Sequence, residues 1–466
     1  MMQLGDLLDD CTLNVATSSI EISNVQIDSR RCDEGSLFVA LPGATRDGLD
    51  YALDAVAHGA RCVVASAPAD VGVPVVTVPG SQLHALLTHV SASIVGHPET
   101  KTRLVGVTGT NGKTSVTTMV AQLARSLSWN AATIGTLTNE RTTPAPPELF
   151  RTLAQLVENF DPAKRHALVA LEVSSHALDQ RRVEGLRFQV VAFTNLSHDH
   201  LDYHGSMERY FAAKASLFHA EFAQRCVIWV DDEYGARLAA MTELPVTPVS
   251  RRDARDVALT LTGTTFFWRD HLVNTSLLGS YNVDNALVAM SIMSALGADD
   301  AQVAHAMGDV HPVDGRFDVL RGGTVTVIVD YAHTPEGLRR LLEDVRSLAP
   351  TSRVLTVFGC GGDRDRTKRP EMGAVASLFS DVTVVTSDNP RSESPDAIID
   401  DVLEGVLEGR DVRRERDRRR AIQLAIDAAL AGDVVVIAGK GHETTQTIGQ
   451  LSTPFDDRVV AQEFLK

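Results

Sequence analysis

A strand, a glycine loop and a helix in immediate succession restrict this chain more than anything else in it. Leu104-Val105-Gly106-Val107-Thr108 reads as a buried strand, Gly109-Thr110-Asn111-Gly112-Lys113-Thr114-Ser115 follows it, and Val116 to about Leu127 carries the 3.6-residue pattern of an amphipathic helix. Glycines let the backbone N–H groups of such a loop converge on phosphate oxygens. The helix N-terminus adds positive potential, Lys113 a full charge, and Thr114 or Ser115 a hydroxyl able to ligate Mg²⁺. An ordinary glycine turn with a helix cap would not require all four parts to coincide.

The surrounding pattern says what kind of sheet carries the loop. Apolar runs at Ala167 to Glu172 and Val190 to Phe193 alternate with helical stretches, which predicts a mostly parallel sheet covered on both faces. Short apolar runs at Ser36 to Leu41 and Arg61 to Ala65 predict a smaller α/β unit before it. A third block holds strands at Thr324 to Val329, Val354 to Phe358, Val382 to Thr386 and Val434 to Ala438, and each runs into polar residues. Ligands of open α/β sheets bind beyond the carboxyl ends of the strands, so four polar exits aimed one way predict a binding site. The expected fold is therefore α/β in three domains: a small N-terminal α/β domain (1–98), a central P-loop mononucleotide-binding parallel sheet (99–320) and a C-terminal Rossmann-like α/β domain (321–466). The arginine-rich stretch Arg413 to Arg420 is charge-mixed and reads as a solvated helix face.

A net charge of −16 argues against nucleic-acid binding or attachment to an anionic membrane, since both need a broad positive field. The five cysteines, Cys11, Cys32, Cys62, Cys226 and Cys360, are odd in number and lack both CxxC spacing and a disulfide framework, which fits a reducing compartment. The N-terminus turns acidic at once and does not read as a signal peptide, and no apolar run reaches membrane-spanning length. A cytoplasmic monomer is the expectation.

Two further segments leave strands at the same sheet edge as the loop: Leu171-Glu172-Val173-Ser174-Ser175-His176, and Thr194 through His198-Asp199-His200-Leu201-Asp202-Tyr203-His204. A carboxylate facing the loop threonine is a natural second ligand for a Mg²⁺ that bridges nucleotide phosphates, and Glu172 is placed for it; a capping or salt-bridged glutamate is the alternative. Three histidines within seven residues suggest zinc, but no cysteine lies nearby and the phosphates call for a hard, oxygen-loving cation. Met207, Tyr210, Phe211, Lys214 and Phe218 share one face of a helix expected from Ser206 to Phe218, so Lys214 sits on an apolar stripe. Spacing leaves two outcomes open. Either the stem packs while the ammonium reaches water, or the amine is buried and neutral, in which state it can take up CO₂ as a carbamate.

The loop departs from the GxxxxGK[ST] spacing, with Val107 where the first glycine would stand. Read as Gly-Thr-Asn-Gly-Lys-Thr-Ser it resembles the Mur ligases and the folylpolyglutamate synthetases. The later motifs, over nearly the whole chain, resemble the Mur ligases. That resemblance implies an ATP-dependent ligase of peptidoglycan precursor synthesis, with Mg²⁺ as cofactor, ATP as co-substrate and an acyl-phosphate intermediate. It implies catalytic roles for Lys113, Glu172, His200 and Lys214, with Mg²⁺ near Thr114, Glu172, His200 and Lys214. Tyr210-Phe211-Ala212-Ala213-Lys214 matches the segment whose lysine is carbamylated in the family, which makes Lys214 an expected N6-carboxylysine. It adds nucleotide contacts at Asn282, Asn285, Arg316 and Asp330, whose types alone fit helix caps or interdomain ion pairs equally well.

The pattern is most like the branch acting on UDP-N-acetylmuramoyl-L-alanyl-D-glutamate. Matching residues imply that Ser29 lies near the uridine end and that Thr142, Thr143, Ser174, Gln180 and Arg182 hold the sugar-peptide, although Ser29 alone equally fits a turn or cap. Arg364, Asp388, Asn389, Pro390, Arg391, Gly439 and Glu443 match the contacts to the incoming amino acid, and Glu443 can receive its ammonium. Meso-diaminopimelate differs from lysine by a terminal carboxylate. Arg391 offers the planar fork that pairs with one, and a fork left unpaired penalises lysine, the runner-up substrate. A folylpolyglutamate synthetase would share the loop but not Asp388 to Arg391, and a P-loop regulator would need no amino-acid pocket.

Overall fold

The computed structural model describes residues 1–8, 15–43, 46–139, 141–260 and 262–465; Cys11 lies outside the described residues. Three α/β units follow one another along the chain. In the first, strands Asn24–Gln26, Ser36–Val39, Ala60–Ala65 and Val75–Thr77 pair in that order, all parallel. Successive side chains of a strand point to opposite faces, and here Leu37, Val39, Cys62 and Val64 pack on Leu83, Leu87 and Val90 of one helix, whereas Phe38, Val63 and Ala65 pack on Ala52 and Ala55 of another.

The central sheet is parallel throughout, in the order Val246–Val249, Cys226–Trp229, Val190–Phe193, Arg103–Thr108, Ala167–Glu172, Asn130–Ile134. Val105, Val107, Leu168, Ala170, Val190 and Ala192 face helices Lys113–Ser126 and Ser280–Ala295, and the alternate residues Leu104, Val169, Leu171, Val191 and Phe193 face Leu149, Phe150, Tyr210 and Phe211. Each fully buried aliphatic or aromatic side chain contributes about 1.5–3 kcal/mol, so a sheet covered on both faces is held along its whole length. The apolar alternation did not announce a three-stranded antiparallel sheet at Ala254–Thr260, Gly263–Trp268 and His271–Thr275, whose Phe266, Trp268 and Val273 join the same core.

The third sheet runs Asp318–Gly322, Val325–Asp330, Val434–Ala438, Val354–Phe358, Val382–Val385, Asp411–Arg414, with only the first strand antiparallel. Its parallel strands bring the four polar exits to one edge. A short hairpin, Thr445–Ile448 with Leu451–Pro454, lies beside that edge. The remaining cysteines, Cys32, Cys62, Cys226 and Cys360, are buried free thiols. Among the described residues no helix is long and apolar enough to cross a membrane.

Three local expectations need correction. The loop helix starts at Lys113 rather than Val116, because Gly112, at φ 87, turns the chain straight into it. The lysine-bearing helix spans Met207–Ala215, with the Ser206 hydroxyl accepting from Arg209 N as its cap. Arg413 to Arg420 is not one solvated face. Arg413 and Arg414 end a strand, the Asp417 side chain caps the helix Arg418–Ala428, and Arg418 is wholly buried against Asp457.

Candidate active site

The loop closes on itself and on the neighbouring strand end. A side chain at Gly112 would place its Cβ 2.5 Å from Asn285 Oδ1, so the left-handed turn and the close approach both demand glycine there. Lys113 folds back, its Nζ donating to Gly109 O at 2.9 Å and Thr110 O at 2.8 Å. Burial lowers its pKa, and the Glu172 and Asp199 carboxylates oppose that shift.

Glu172, the last residue of its strand, is 2% exposed and accepts from Thr114 Oγ1 at 2.9 Å, Thr136 N at 2.9 Å and Thr136 Oγ1 at 3.2 Å. The sequence expectation of a carboxylate facing the loop threonine thus has a specific geometry. Among the described residues no three His, Cys, Asp or Glu side chains are grouped to hold a metal. Two adjacent oxygen donors fit Mg²⁺, which keeps several waters and takes phosphate oxygens, better than zinc, which wants three or four protein ligands. Gly135 makes room for the carboxylate, because a Cβ there would fall 2.1 Å from Glu172 Oε1. Gly135→Ala is therefore expected to displace Glu172 and lower kcat by about ten- to a hundredfold, with a raised Mg²⁺ requirement in a cation titration. Wild-type Mg²⁺ dependence in that variant would remove Glu172 from the cation site.

His200 has a left-handed backbone, φ 56, and its Nε2 lies 3.5 Å from Asp199 Oδ2. Burial outweighs the attraction of Asp199 and holds its pKa down to about 3, so the ring is neutral at physiological pH. Lys214 is 1% exposed; its Nζ donates to Gly109 O at 2.8 Å and sits over the Tyr210 ring at 4.6 Å. The ammonium does not reach water, which closes the first of the two outcomes left open by spacing. Burial first, and then the like charge of Lys113, push its pKa well below the usual lysine range. His198, in the loop before the short helix Leu201–His204, reaches across the two larger units with Nε2 2.9 Å from Asp365 Oδ2, and His204 Nε2 meets Ser175 Oγ at 2.9 Å in the interior.

On the facing unit, Asn389 Nδ2 donates to Glu443 Oε2 at 2.7 Å, tying two strand exits together. Arg391 is a non-glycine residue at φ 51, a conformation costing about 1–3 kcal/mol. The hairpin holds it there: Arg391 N donates to Thr447 O at 3.1 Å and Gly449 N to Arg391 O at 2.6 Å. The guanidinium Nη1 donates to Gly362 O at 2.6 Å.

The two sets meet in one cavity of about 300 Å³. From the central unit, Thr110 to Thr114, Thr142, Glu172, Ser174, His200 and Lys214 line it; from the C-terminal unit, Arg364, Asp388, Asn389, Arg391, Gly439 and Glu443 do, with Arg316 from the segment that joins the two. A second cavity of about 580 Å³ shares Asn111, Gly112, Arg316 and Tyr331 with the first and adds Ser115, Asn285 and Asp330. Other expected residues stand back from both. Gly109 acts through its carbonyl, which receives both lysines. Asn282 caps Leu278 O at 2.7 Å, and Thr143 is buried, donating to Glu172 O at 2.8 Å. Arg182 donates to Thr143 O at 2.8 Å and to Gln180 Oε1, and the Pro390 carbonyl packs against Gly362. Ser29 lines a separate cavity with Arg30, Arg31, Arg141 and Arg151.

Sequence reasoning missed several groups in and beneath the main cavity. Asp199 is 5% exposed, 3.4 Å from Lys368 Nζ and 3.8 Å from His333 Nε2, both from the other unit. Burial opposes its ionisation, but His333 and the Lys368 charge prevail and hold its carboxyl well below the usual range. Lys440 is fully buried, with Nζ 3.1 Å from Glu443 Oε2 and 2.6 Å from Thr445 O. Asp199 stands between two histidines, the one local signal for it. Lys368 offered none, because Asp199 is distant in sequence, and Lys440, although close to Glu443 along the chain, is marked only by its burial, which the tertiary structure decides.

Comparison with known proteins agrees with this geometry over the whole chain. Residues 21–104 match a family model described as "Mur ligase family, catalytic domain", 107–293 one described as "Mur ligase middle domain", and 315–441 one described as "Mur ligase, glutamate ligase domain". A protein of Gloeobacter violaceus named UDP-N-acetylmuramoyl-L-alanyl-D-glutamate--2,6-diaminopimelate ligase is 42% identical, with 100% of this chain and 98% of that protein covered. Its namesake in Geobacillus kaustophilus is 43% identical, with 96% and 95% covered. A solved structure of a ligase with this name superposes with a TM-score of 0.67 at 29% identity, covering 100% of this chain and 98% of the other.

Proposed function

The chain belongs to the Mur ligase family, and from that premise we propose that it joins meso-2,6-diaminopimelate to the D-glutamate carboxylate of UDP-N-acetylmuramoyl-L-alanyl-D-glutamate, with cleavage of ATP to ADP and phosphate, in peptidoglycan precursor synthesis. One observation carries the reading: a single cavity holds the phosphate loop, Glu172 and Lys214 on one wall and Arg391, Asn389 and Glu443 on the other.

In the first step a carboxylate oxygen attacks the γ-phosphorus of ATP, the bond to the β-phosphate oxygen breaks, and an acyl phosphate and ADP result. In the second the amine attacks the acyl carbon, gives up a proton, and phosphate leaves with the C–O bond electrons. No protein nucleophile is needed. The chain's task is to bring two anions together and hold the amine within reach, which rests on placement and charge. Lys113 offsets charge on the phosphates, and the N–H groups of Gly112 to Thr114 at the helix start cradle them, while those of Thr110 and Asn111 donate to Asn195 and hold the loop in place. Thr114 and Glu172, with neutral His200 beside them, would hold Mg²⁺, which when bound neutralises phosphate charge. Lys214, buried and among the described residues without a carboxylate bonded to its amine, is chemically suited to carbamylation, which would give the site a further anionic ligand. Asn285, Arg316 and Asp330 border the cavity suited to the rest of the nucleotide.

Thr142 and Ser174 receive the glutamyl end of the sugar-peptide, with Thr143, Gln180 and Arg182 behind them. Ser29 and the arginines of its separate cavity suit the uridine diphosphate. On this reading residues 1–98 bind the nucleotide sugar, 99–320 ATP and 321–466 the amino acid, in a cytoplasmic monomer. Arg391, Arg364 and Asn389 take the far end of diaminopimelate, and Glu443 its ammonium.

The test is phosphate release by the purified protein with ATP, Mg²⁺ and UDP-N-acetylmuramoyl-dipeptide, with meso-diaminopimelate or L-lysine added in parallel. Release that depends on diaminopimelate, with a tripeptide product, is expected. Dependence on lysine would overturn the substrate while keeping the ligase, and release indifferent to either would overturn the ligase.

A further inference from the structure

Two of the exits assigned to the amino acid leave strands that do not touch. Val382–Val385 and Val434–Ala438 are separated in the sheet by Val354–Phe358, so their ends lie about 10 Å apart and no shared ladder fixes the spacing of the loops that follow. Arg418 spans that gap from beneath. Its Nε and Nη2 donate to Asp457 Oδ1 and Oδ2 at 2.7 and 2.6 Å; Nη2 also donates to Ala438 O at 3.0 Å, and Nη1 to Ser387 O at 3.3 Å. Those carbonyls belong to the residues just before Gly439–Glu443 and Asp388–Arg391. Both side chains of the pair are 0% exposed.

A buried ion pair adds little net stability, since an apolar pair of similar volume commonly does as well or better. Its geometry is another matter. The guanidinium is planar and rigid, the bidentate carboxylate fixes its plane, and the two remaining contacts reach two different strands. The Asp388 and Glu443 carboxylates lie close enough to favour the charged guanidinium. Nearer the cavity the two loops also meet directly, Asn389 Nδ2 donating to Glu443 Oε2 at 2.7 Å, and Lys440 adds a looser link, with Nζ 3.4 Å from Asn389 Oδ1 and 3.1 Å from Glu443 Oε2.

We propose that the Arg418–Asp457 pair is a positioning device for the amino-acid site: it sets the separation of the loops bearing Arg391 and Glu443, and through it the affinity for an amine that carries a second, distant carboxylate. The pair touches no substrate. It acts on the span between the group that receives the far carboxylate and the group that receives the ammonium on the same carbon, a span that must match the fixed separation of those two substituents. This inference rests on the amino-acid reading of those loops given above.

The test uses the full chain with Arg418→Lys and the double variant Arg418→Met/Asp457→Leu, and varies each substrate in turn in the phosphate-release assay. The double variant leaves no unpaired buried charge, so it keeps the fold while losing the bridge. Its KM for diaminopimelate is expected to rise about ten- to a hundredfold, with kcat and the KM for ATP and for the sugar-peptide within about threefold of wild type. Arg418→Lys keeps a paired charge but loses the fork and is expected to fall between, and it decides by the same split should the double variant not fold. An unchanged KM for diaminopimelate in a folded variant, or a loss confined to kcat, overturns the proposal. Arg391→Ala is run alongside: if that variant too leaves the KM for diaminopimelate unchanged, the amino-acid reading of the loops fails, and not merely the brace.

Discussion

Lys214→Met is expected to lower kcat by roughly 10²- to 10³-fold without loss of folded protein. The volume is nearly conserved and the variant removes an amine that burial already disfavours in its charged form. A residue with a merely structural role would show the reverse, a change in melting temperature with activity kept. The chemical state of the lysine is read separately. Wild-type protein equilibrated with ¹³C-bicarbonate is expected to show one protected carbamate resonance that Lys214→Met lacks. Activity close to wild type in the variant would remove Lys214 from the machinery, and a loss of activity without the resonance would keep the lysine as an amine that holds Gly109 O.

Arg391→Ala is expected to lower kcat/KM for meso-diaminopimelate by about 10²-fold or more, because a charge-assisted, two-pronged contact to a carboxylate is lost from a water-poor site. Use of L-lysine should change little or improve, since no unpaired fork then remains to penalise it. Arg391→Lys is not expected to restore selectivity, for an ammonium cannot reproduce the fork. The left-handed backbone at φ 51 makes the result more telling: the hairpin holds Arg391 N and O in a strained conformation whose evident consequence is to aim this side chain. Parallel kinetics on the two amino acids check it, and an equal loss on both would show that Arg391 does not read the distant carboxylate.

Much of the site was legible because its signals are local. A phosphate loop is a contiguous run between a strand and a helix. Glu172, Asn389 and Glu443 lie at or just beyond strand ends, where parallel topology sends them to a common edge. What stayed hidden depends on partners distant in sequence. Arg418 looked like one of several surface arginines, because nothing near it announces Asp457, and nothing near the loop residue His198 announces Asp365, which lies on another unit. Ser29, read at the uridine end of the ligand whose peptide Ser174 is expected to hold, lines a cavity separate from that of Ser174, and no spacing along the chain encodes the distance between them.

The sequence by itself determined the α/β class, the phosphate cradle and the set of residue types at the strand exits, since periodicity, glycine placement and strand ends are properties of a few consecutive residues. Only the tertiary structure decided which charges are buried and what they meet. Desolvation depends on everything packed around a group: Lys214 has the same intrinsic chemistry as any exposed lysine until Tyr210, Gly109 and the sheet above exclude water from it.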